Sequence, residues 1–321
     1  MGGRTRALRG VNVCYLRGDY GHDLAPNPRF PNWPVSFEAL ASYRPLIEAR
    51  ELGFEAARFW LCENAEGIIV EDGEVAGVHG DLLEAVEIVQ EAAHLHGVKL
   101  YFSLLDGNAW PREGDPVTRS ILADAAQAER FAELVVRPLC ARLDPDLVIA
   151  LEIVNEPETA TSECMVASES PLEPIEWAAI GRAIKICGDA ARAEEDLLIS
   201  AGTGHVFLPS LWRAEPALDL VDVHIYHPTG GLPSREHLAE YVGDERLLDE
   251  RLPLIVGEAG IPKEPGVEES AMCNFIYNAD QLGYDAVFLW QLDGSLRVGE
   301  GRTRSTTPLG EAVRHTLKIT R

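Results

Sequence analysis

Lysine is nearly missing from this 321-residue sequence: Lys99, Lys185, Lys263 and Lys318 are the only ones among 28 basic residues. Acidic residues number 52, which leaves a formal net charge of −24. A surface this acidic repels phosphate backbones and anionic lipid, which argues against nucleic acid and membranes as partners. Adaptation to salt and an arginine-favouring coding bias both fit this composition. The six cysteines, Cys14, Cys62, Cys140, Cys164, Cys187 and Cys273, form no C-x-x-C pair. That excludes a zinc ribbon and a thioredoxin motif, and scattered cysteines in apolar patterns read as small hydrophobes. No apolar run approaches the roughly 18 residues of a membrane span. The opening MGGRTRALRG carries basic residues but no apolar stretch, so a cytoplasmic location is expected. No G-x-G-x-x-G follows the first apolar run and no Walker A sequence occurs, which counts against an open doubly wound nucleotide-binding sheet.

What is present is an alternation. Short apolar runs fall at 11–16, 55–61, 98–105, 147–154, 197–201, 220–226, 254–258 and 286–291. Rich in Val, Ile, Leu and aromatics, they have the pattern of strands buried on both faces, as in a parallel sheet. Amphipathic helical stretches lie between them at 36–52, 80–96, 119–142, 176–193, 236–250, 267–282 and 308–318. Ser36 is the expected N-cap of the first, and Gly53 and Gly97 the expected stops of the first two. The stretch 206–216 contains Pro209 and Pro216 and is a doubtful helix. Eight strand–helix units in this length predict one (β/α)8 TIM barrel, a single catalytic domain over 1–321, in preference to an open doubly wound sheet.

Barrel chemistry sits at the C-terminal ends of the strands. The fourth run ends in Asn155-Glu156-Pro157 and the seventh in Gly257-Glu258-Ala259. Two carboxylates facing one barrel mouth are what glycoside hydrolysis requires, one as proton donor and one as nucleophile. Helix capping or structural ion pairing is the alternative for either. The sixth run ends in His224-Ile225-Tyr226, and strand alternation puts His224 and Tyr226 on one side. Arg58 lies on the second run and Trp290 on the eighth. An Arg and a Tyr beside a carboxylate favour its ionised form, and an aromatic plate suits the apolar face of a sugar.

These strand ends resemble the clan A glycoside hydrolases, most nearly the family 5 cellulases and β-mannanases, over nearly the whole chain. Arg9-Gly10-Val11-Asn12 is similar to the family's opening strand, Gly53-Phe54 with Arg58 to its second, and Asn155-Glu156-Pro157 to its acid/base motif. His224-x-Tyr226, Gly257-Glu258 and Trp290 follow in the family's order. The resemblance implies a retaining hydrolase of β-glycosidic bonds, with a carbohydrate substrate and neither metal nor cofactor. It assigns Glu156 as acid/base, Glu258 as nucleophile and Asn155 to the 2-hydroxyl. Arg58 and Tyr226 would hold Glu258, His224 would touch the acid/base or the substrate, and Trp290 would floor the sugar site. One departure stands out. Many family 5 cellulases carry a His near the end of the third strand, where Leu104-Leu105-Asp106-Gly107-Asn108 has none. This counts against the cellulase subgroup and leaves a mannanase-like or other subgroup on at least an equal footing.

Further expectations rest on position alone. Trp60, Asp106 and Trp110, at or just past strand ends, are candidate substrate contacts. Trp33 in the proline-rich stretch 26–34 and Trp212 are undecided, and Trp177 reads as core. His94 and His96 suit a helix C-terminus, while His205 and His227 could line the mouth. A metal barrel is the competing chemistry, but no His/Asp/Glu spacing supports it. A glycan-binding or transglycosylating barrel without significant hydrolysis is the competing function. The loop 18–34, the sugar, endo or exo action and the oligomeric state are not legible.

Overall fold

Eight of the apolar runs become the staves of one closed sheet. The computed structural model describes residues 6–14, 20–37, 39–164, 172–263, 268–299 and 304–320. Tyr15 and Leu16 of the first run, Gly18 and Asp19 of the first loop, positions 165–171 and the start of the expected helix at 267 lie outside the described residues. The barrel strands are β1 (Leu8–Cys14), β2 (Ala56–Trp60), β3 (Lys99–Asp106) and β4 (Val148–Asn155). They continue as β5, split into Ile199–Ser200 and Thr203–Gly204, then β6 (Val221–Tyr226), β7 (Leu254–Gly260) and β8 (Ala286–Leu289). The spatial order is β5–β4–β3–β2–β1–β8–β7–β6–β5, all neighbours parallel. The two pieces of β5 stand at opposite ends of that order with only Ala201 and Gly202 between them, so the sheet closes as a (β/α)8 barrel.

Closure divides the core in two. Most apolar side chains pack between the strands and the surrounding helices. A smaller plug of Ala56, Tyr101, Ala150, Leu220, Ile255, Ala286 and Phe288 forms a separate buried cluster. Gly10 makes the plug possible, because a Cβ there would lie 2.2 Å from the Phe288 ring. The parallel register then stacks the polar strand positions: Arg58 is level with Asn12 and Tyr101, Asn155 with Asp106, and Glu258 with His224.

The helices follow the pattern with instructive exceptions. Gly97, at φ 62°, closes the helix Gly80–His96 in the left-handed conformation that glycine allows. The first helix is Ala39–Leu52, and the Ser36 N–H ahead of it is bonded to the His22 carbonyl. The expected helix 119–142 is broken. Asp124 ends Pro116–Ala123 and caps Ala125–Phe131, and the ladder then widens to a π-turn over Ala132–Val136 just ahead of Pro138. A proline there has no N–H for the ladder, and a widened turn accommodates it. The expected helix 236–250 stops at Val242, because Gly243 is left-handed, and a 3-10 turn, Glu245–Leu248, replaces its end. The doubtful stretch does form a helix, Leu208–Arg213, with Pro209 in its first turn, where no N–H is missed. A hairpin of Ile68–Glu71 and Glu74–Val78 turns through Asp72-Gly73, both at positive φ. Among the described residues no helix is long and apolar enough to cross a membrane.

The barrel's lower rim is tied by Arg9, buried on β1. Its Nη2 donates to Asp280 Oδ2 at 2.5 Å and its Nη1 to the Thr320 carbonyl at 3.2 Å, clamping the last two helices, Met272–Leu282 and Pro308–Ile319. Asp280→Ala leaves the buried guanidinium half-paired. Because Asp280 is itself a quarter exposed, the expected loss is about 2 kcal/mol, less than for a fully buried pair. A urea midpoint unchanged from wild type would contradict this.

Candidate active site

The site is built on Arg58. Fully buried on β2, it uses every N–H of its guanidinium. Nε and Nη2 donate to Glu152 Oε2 at 3.1 and 2.5 Å, and Nη2 also to Asn155 Oδ1 at 2.8 Å. Nη1 donates to Asn12 Oδ1 and to Glu258 Oε1, each at 2.9 Å. Burial alone would favour the neutral guanidine, but the charges of Glu152 and Glu258 reverse that and hold the cation firmly.

Glu258 and Glu156 flank the opening above Arg58. Tyr226 donates its hydroxyl to Glu258 Oε2 at 2.9 Å. Glu156 Oε2 accepts from Asn108 Nδ2 at 3.1 Å, and Oε1 lies 3.3 Å from His224 Nδ1. One oxygen of Glu156, one of Glu258 and one nitrogen of His224 lie within 4.8 Å of one another. Glu156 sits in the left-handed region at φ 43°, costly for a glutamate, and its N–H is pinned to the Gly202 carbonyl at 2.8 Å. Asp106 organises the other side. Its Oδ1 accepts from Asn155 Nδ2 at 3.0 Å and from the backbone and side-chain N–H of Asn108 at 3.0 and 3.1 Å. Tyr20 donates to its Oδ2 at 2.7 Å.

Five carboxylates, Glu152, Glu156, Glu258, Asp106 and Asp222, thus crowd two cationic side chains, Arg58 and His224. Burial, reinforced by the charge on Glu156, pushes Glu258 up to about 7 against the opposing pull of His224, Arg58 and Tyr226. The sequence reading expected Arg58 and Tyr226 to depress Glu258, but in a buried basin with surplus acid desolvation outweighs them. Burial pushes Asp222 up to about 6 and raises Asp106. His224 would lose its proton through burial, but Glu258, Glu156 and Asp222 hold it up to about 10. Burial also acts to raise Glu156, yet the bond and charge of His224 and the bond of Asn108 bring it down to about 2. The last two shifts describe one proton in the Glu156–His224 pair, resting on the imidazole while the cleft is empty.

The cleft above this floor has a volume of about 480 Å³. Glu156, Glu258, Asn155, Asp106, Tyr226, Trp60 and Trp290 all line it. The two indoles are 6.2 Å apart and tilted by 43°, and Tyr20 meets Trp60 edge-on at 6.3 Å. His224 and Arg58 lie beneath the lining. Trp110 does not line the cleft. Its Nε1 donates to the Glu173 carbonyl at 3.0 Å and the Arg119 guanidinium covers its ring, so it braces the loop behind. His227 bonds the N–H of Gly231, and Trp212 bonds Asp244. Trp177 packs on the core, and Trp33 stacks on Phe30 away from the lining. Cys14, with its thiol pushed well up by burial, points to Gln291.

The structure adds residues that sequence reasoning passed over. Tyr20, Asn108, Arg112 and Glu113 join the lining. Glu152 and Asp222 lie below it, and each was visible as a carboxylate interrupting an otherwise apolar strand. Beneath the Tyr20 loop, Asp23, Glu63 and Glu66 form a further buried carboxylate group. There Glu66 Oε1 accepts from the N–H of Leu24 and Ala25 at 2.5 and 2.6 Å.

No protein-family model matches this sequence, and no curated protein matches it. Solved structures do. A β-1,4-mannanase of the sea hare Aplysia kurodai aligns over 99% of this chain and 93% of its own, with a TM-score of 0.68 at 15% identity. The β-mannanase of the blue mussel Mytilus edulis aligns over the same shares, with a TM-score of 0.69 at 16% identity. GH5_18 of Streptomyces cattleya, solved with Manβ1-4GlcNAc, aligns over 98% of this chain and 81% of its own, with a TM-score of 0.69 at 16% identity. The fold is that of the β-mannanases. At this identity the fold is what is shared, and the chemistry has to be argued from the side chains above.

Arg58→Ala strips the buried acids Glu152 and Glu258 of their shared cation. The expected cost is about 3–5 kcal/mol of folding stability. Arg58→Lys should recover only part of it, since one ammonium cannot fill a five-bond fork. Equal stability of the alanine variant and wild type in chemical denaturation would contradict this.

Proposed function

We propose that the chain is a retaining glycoside hydrolase acting on β-linked, mannan-type oligo- or polysaccharides. The observation that carries the reading is the pair Glu156 and Glu258, raised from the ends of β4 and β7 with oxygens within 4.8 Å, over an aromatic cleft. That spacing favours retention, for which the carboxyl groups lie about 5–5.5 Å apart, over inversion, which needs about 6.5–9.5 Å. The shared fold with β-mannanases, and with a protein solved with Manβ1-4GlcNAc, supports the substrate class.

In this reading Glu258 attacks the anomeric carbon as the glycosidic C–O bond breaks. Glu156, supplied from its shared proton with His224, protonates the departing oxygen. Water then gives a proton back to Glu156 and its oxygen to the anomeric carbon, which releases Glu258. Asn155, fixed at both ends of its amide by Arg58 and Asp106, presents a rigid edge to the sugar. Trp60 and Trp290 offer stacking faces.

The test is a panel of aryl β-mannosides, β-glucosides and β-linked oligosaccharides, read by anomer-resolved NMR. Turnover with retained configuration is expected. Glu258→Ala should abolish it, and Glu156→Gln should slow it about 10²–10⁴-fold on substrates with poor leaving groups. Inverted product, or wild-type rates in either variant, would sink the assignment. Binding without turnover would favour a glycan-binding barrel.

The pH dependence follows from the charge layout. Below about 7 Glu258 takes up a proton and loses its nucleophilic form, and toward 10 the Glu156–His224 pair loses the proton it must deliver. kcat/KM should therefore form a bell with a neutral-to-alkaline top. Tyr226→Phe removes a bond that lowers Glu258, so its acid limb should move to higher pH. An optimum near pH 4–5 would contradict the layout.

A further inference from the structure

Glu152 never reaches the cleft, yet it touches both cationic side chains below it. It is fully buried on β4, level with Ser103 of β3 and Ser200 of β5. One oxygen, Oε2, takes two bonds from Arg58. The other, Oε1, takes the N–H of Gly202 at 2.8 Å and lies 4.0 Å from His224 Nε2. That nitrogen is buried and has no hydrogen-bond partner among the described residues. The contact is crowded by construction: a Cβ on Gly202 would fall 2.3 Å from His224 Nε2 and 2.5 Å from Glu152 Oε1.

We propose that Glu152 is a positioning residue that sets the working pH of the site, by aiming Arg58 at Glu258 and Asn155 and by placing a negative charge behind His224. The catalytic meaning of this rests on the glycosidase reading; the electrostatics do not. Without the Glu152 charge, Arg58 is less neutralised and pulls harder on Glu258, which then ionises at lower pH. His224 loses an anion on its far side and also gives up its proton at lower pH. Both limbs of the profile move in the same direction, toward acid. The other groups facing this pair stay in place: Glu156 just past the same strand, Tyr101 and Asp106 from β3, Asp222 and Tyr226 from β6, Glu258 from β7 and Cys14 from β1. None of them contacts both Arg58 and the Nε2 side of His224 as Glu152 does.

The experiment is an NMR titration of the whole protein without substrate. It follows the Glu258 carboxyl carbon and the His224 ring nitrogens, assigned with Glu258→Gln and His224→Asn. In Glu152→Gln both midpoints should fall by at least one pH unit. In Glu152→Asp, which keeps the charge and shortens the reach, they should stay nearer to wild type even if the melting temperature drops. Gly202→Ala forces the carboxylate and the imidazole apart, so the His224 midpoint should fall there as well; this variant decides the matter if Glu152→Gln does not fold. Midpoints unmoved in a folded Glu152→Gln, or a His224 midpoint unmoved in Gly202→Ala, overturn the proposal. Shifted midpoints in a protein that hydrolyses no glycoside would leave it standing and remove the glycosidase reading instead.

Discussion

A buried guanidinium has to place five N–H bonds in fixed directions, and the arrangement of this barrel's mouth follows from how Arg58 places them. Glu152 comes from β4, Asn12 from β1, Asn155 from the end of β4 and Glu258 from β7. Those acceptors stand on strands separated around the ring, so the fork can be satisfied only when the sheet is closed and in register. Closing the barrel and aligning the site are therefore one event. This also explains why the plug lies directly below. Tyr101 and Phe288 fill the barrel and exclude water from the side of Arg58 that no acceptor covers, the Tyr101 ring lying 5.6 Å from the guanidinium carbon.

The second consequence is electrostatic. One permanent cation and one imidazole serve five carboxylates, so some of these acids cannot ionise together in a buried space. A site with matched charges would hold every group at its most stable state and leave no proton to move. Burial, reinforced by the charge of Glu156, pushes Glu258 upward, and the crowded acids place a mobile proton between Glu156 and His224. The cost of burying like charges is held by the rest of the barrel, through the backbone donors of Gly202 and Gly257 and the hydroxyl of Tyr101, which bind Glu152 and Asp222.

The barrel was legible because strands buried on both faces leave unbroken apolar runs, and glycines mark the helix ends. Glu156 and Glu258 were legible because each terminates such a run. What escaped was whatever depends on contacts between strands. Trp110 follows a strand end as Trp60 does, but only the packing of its loop shows that it turns away and bonds Glu173. Tyr20 sat in a loop with no periodicity, and its role comes from reaching Asp106 across 86 positions of chain. The direction of the Glu258 shift needed a census of every buried acid, and one strand read at a time supplies only its neighbours. The hairpin at Asp72-Gly73 is different. Its turn signal was plain, and it was passed over because the barrel pattern did not call for extra strands.

Two glycines explain how so much can be held at a strand end. A Cβ on Gly107 would lie 2.3 Å from the Glu156 carbonyl, and one on Gly202 would lie 2.3 Å from His224 Nε2. The neighbouring strands therefore press bare backbone against Glu156 from one side and against its proton partner from the other. This confinement offsets the strain of a left-handed glutamate, and bonds from Asn108 and His224 then fix its carboxylate. The loops are then free to change, whereas the floor is not. Such a division is consistent with a barrel that superimposes on β-mannanases along almost its entire length while about one residue in six is identical. On the glycosidase reading, selectivity for one sugar over another is to be sought in Tyr20, Arg112 and Glu113, which line the cleft from the loops, rather than in the floor beneath them.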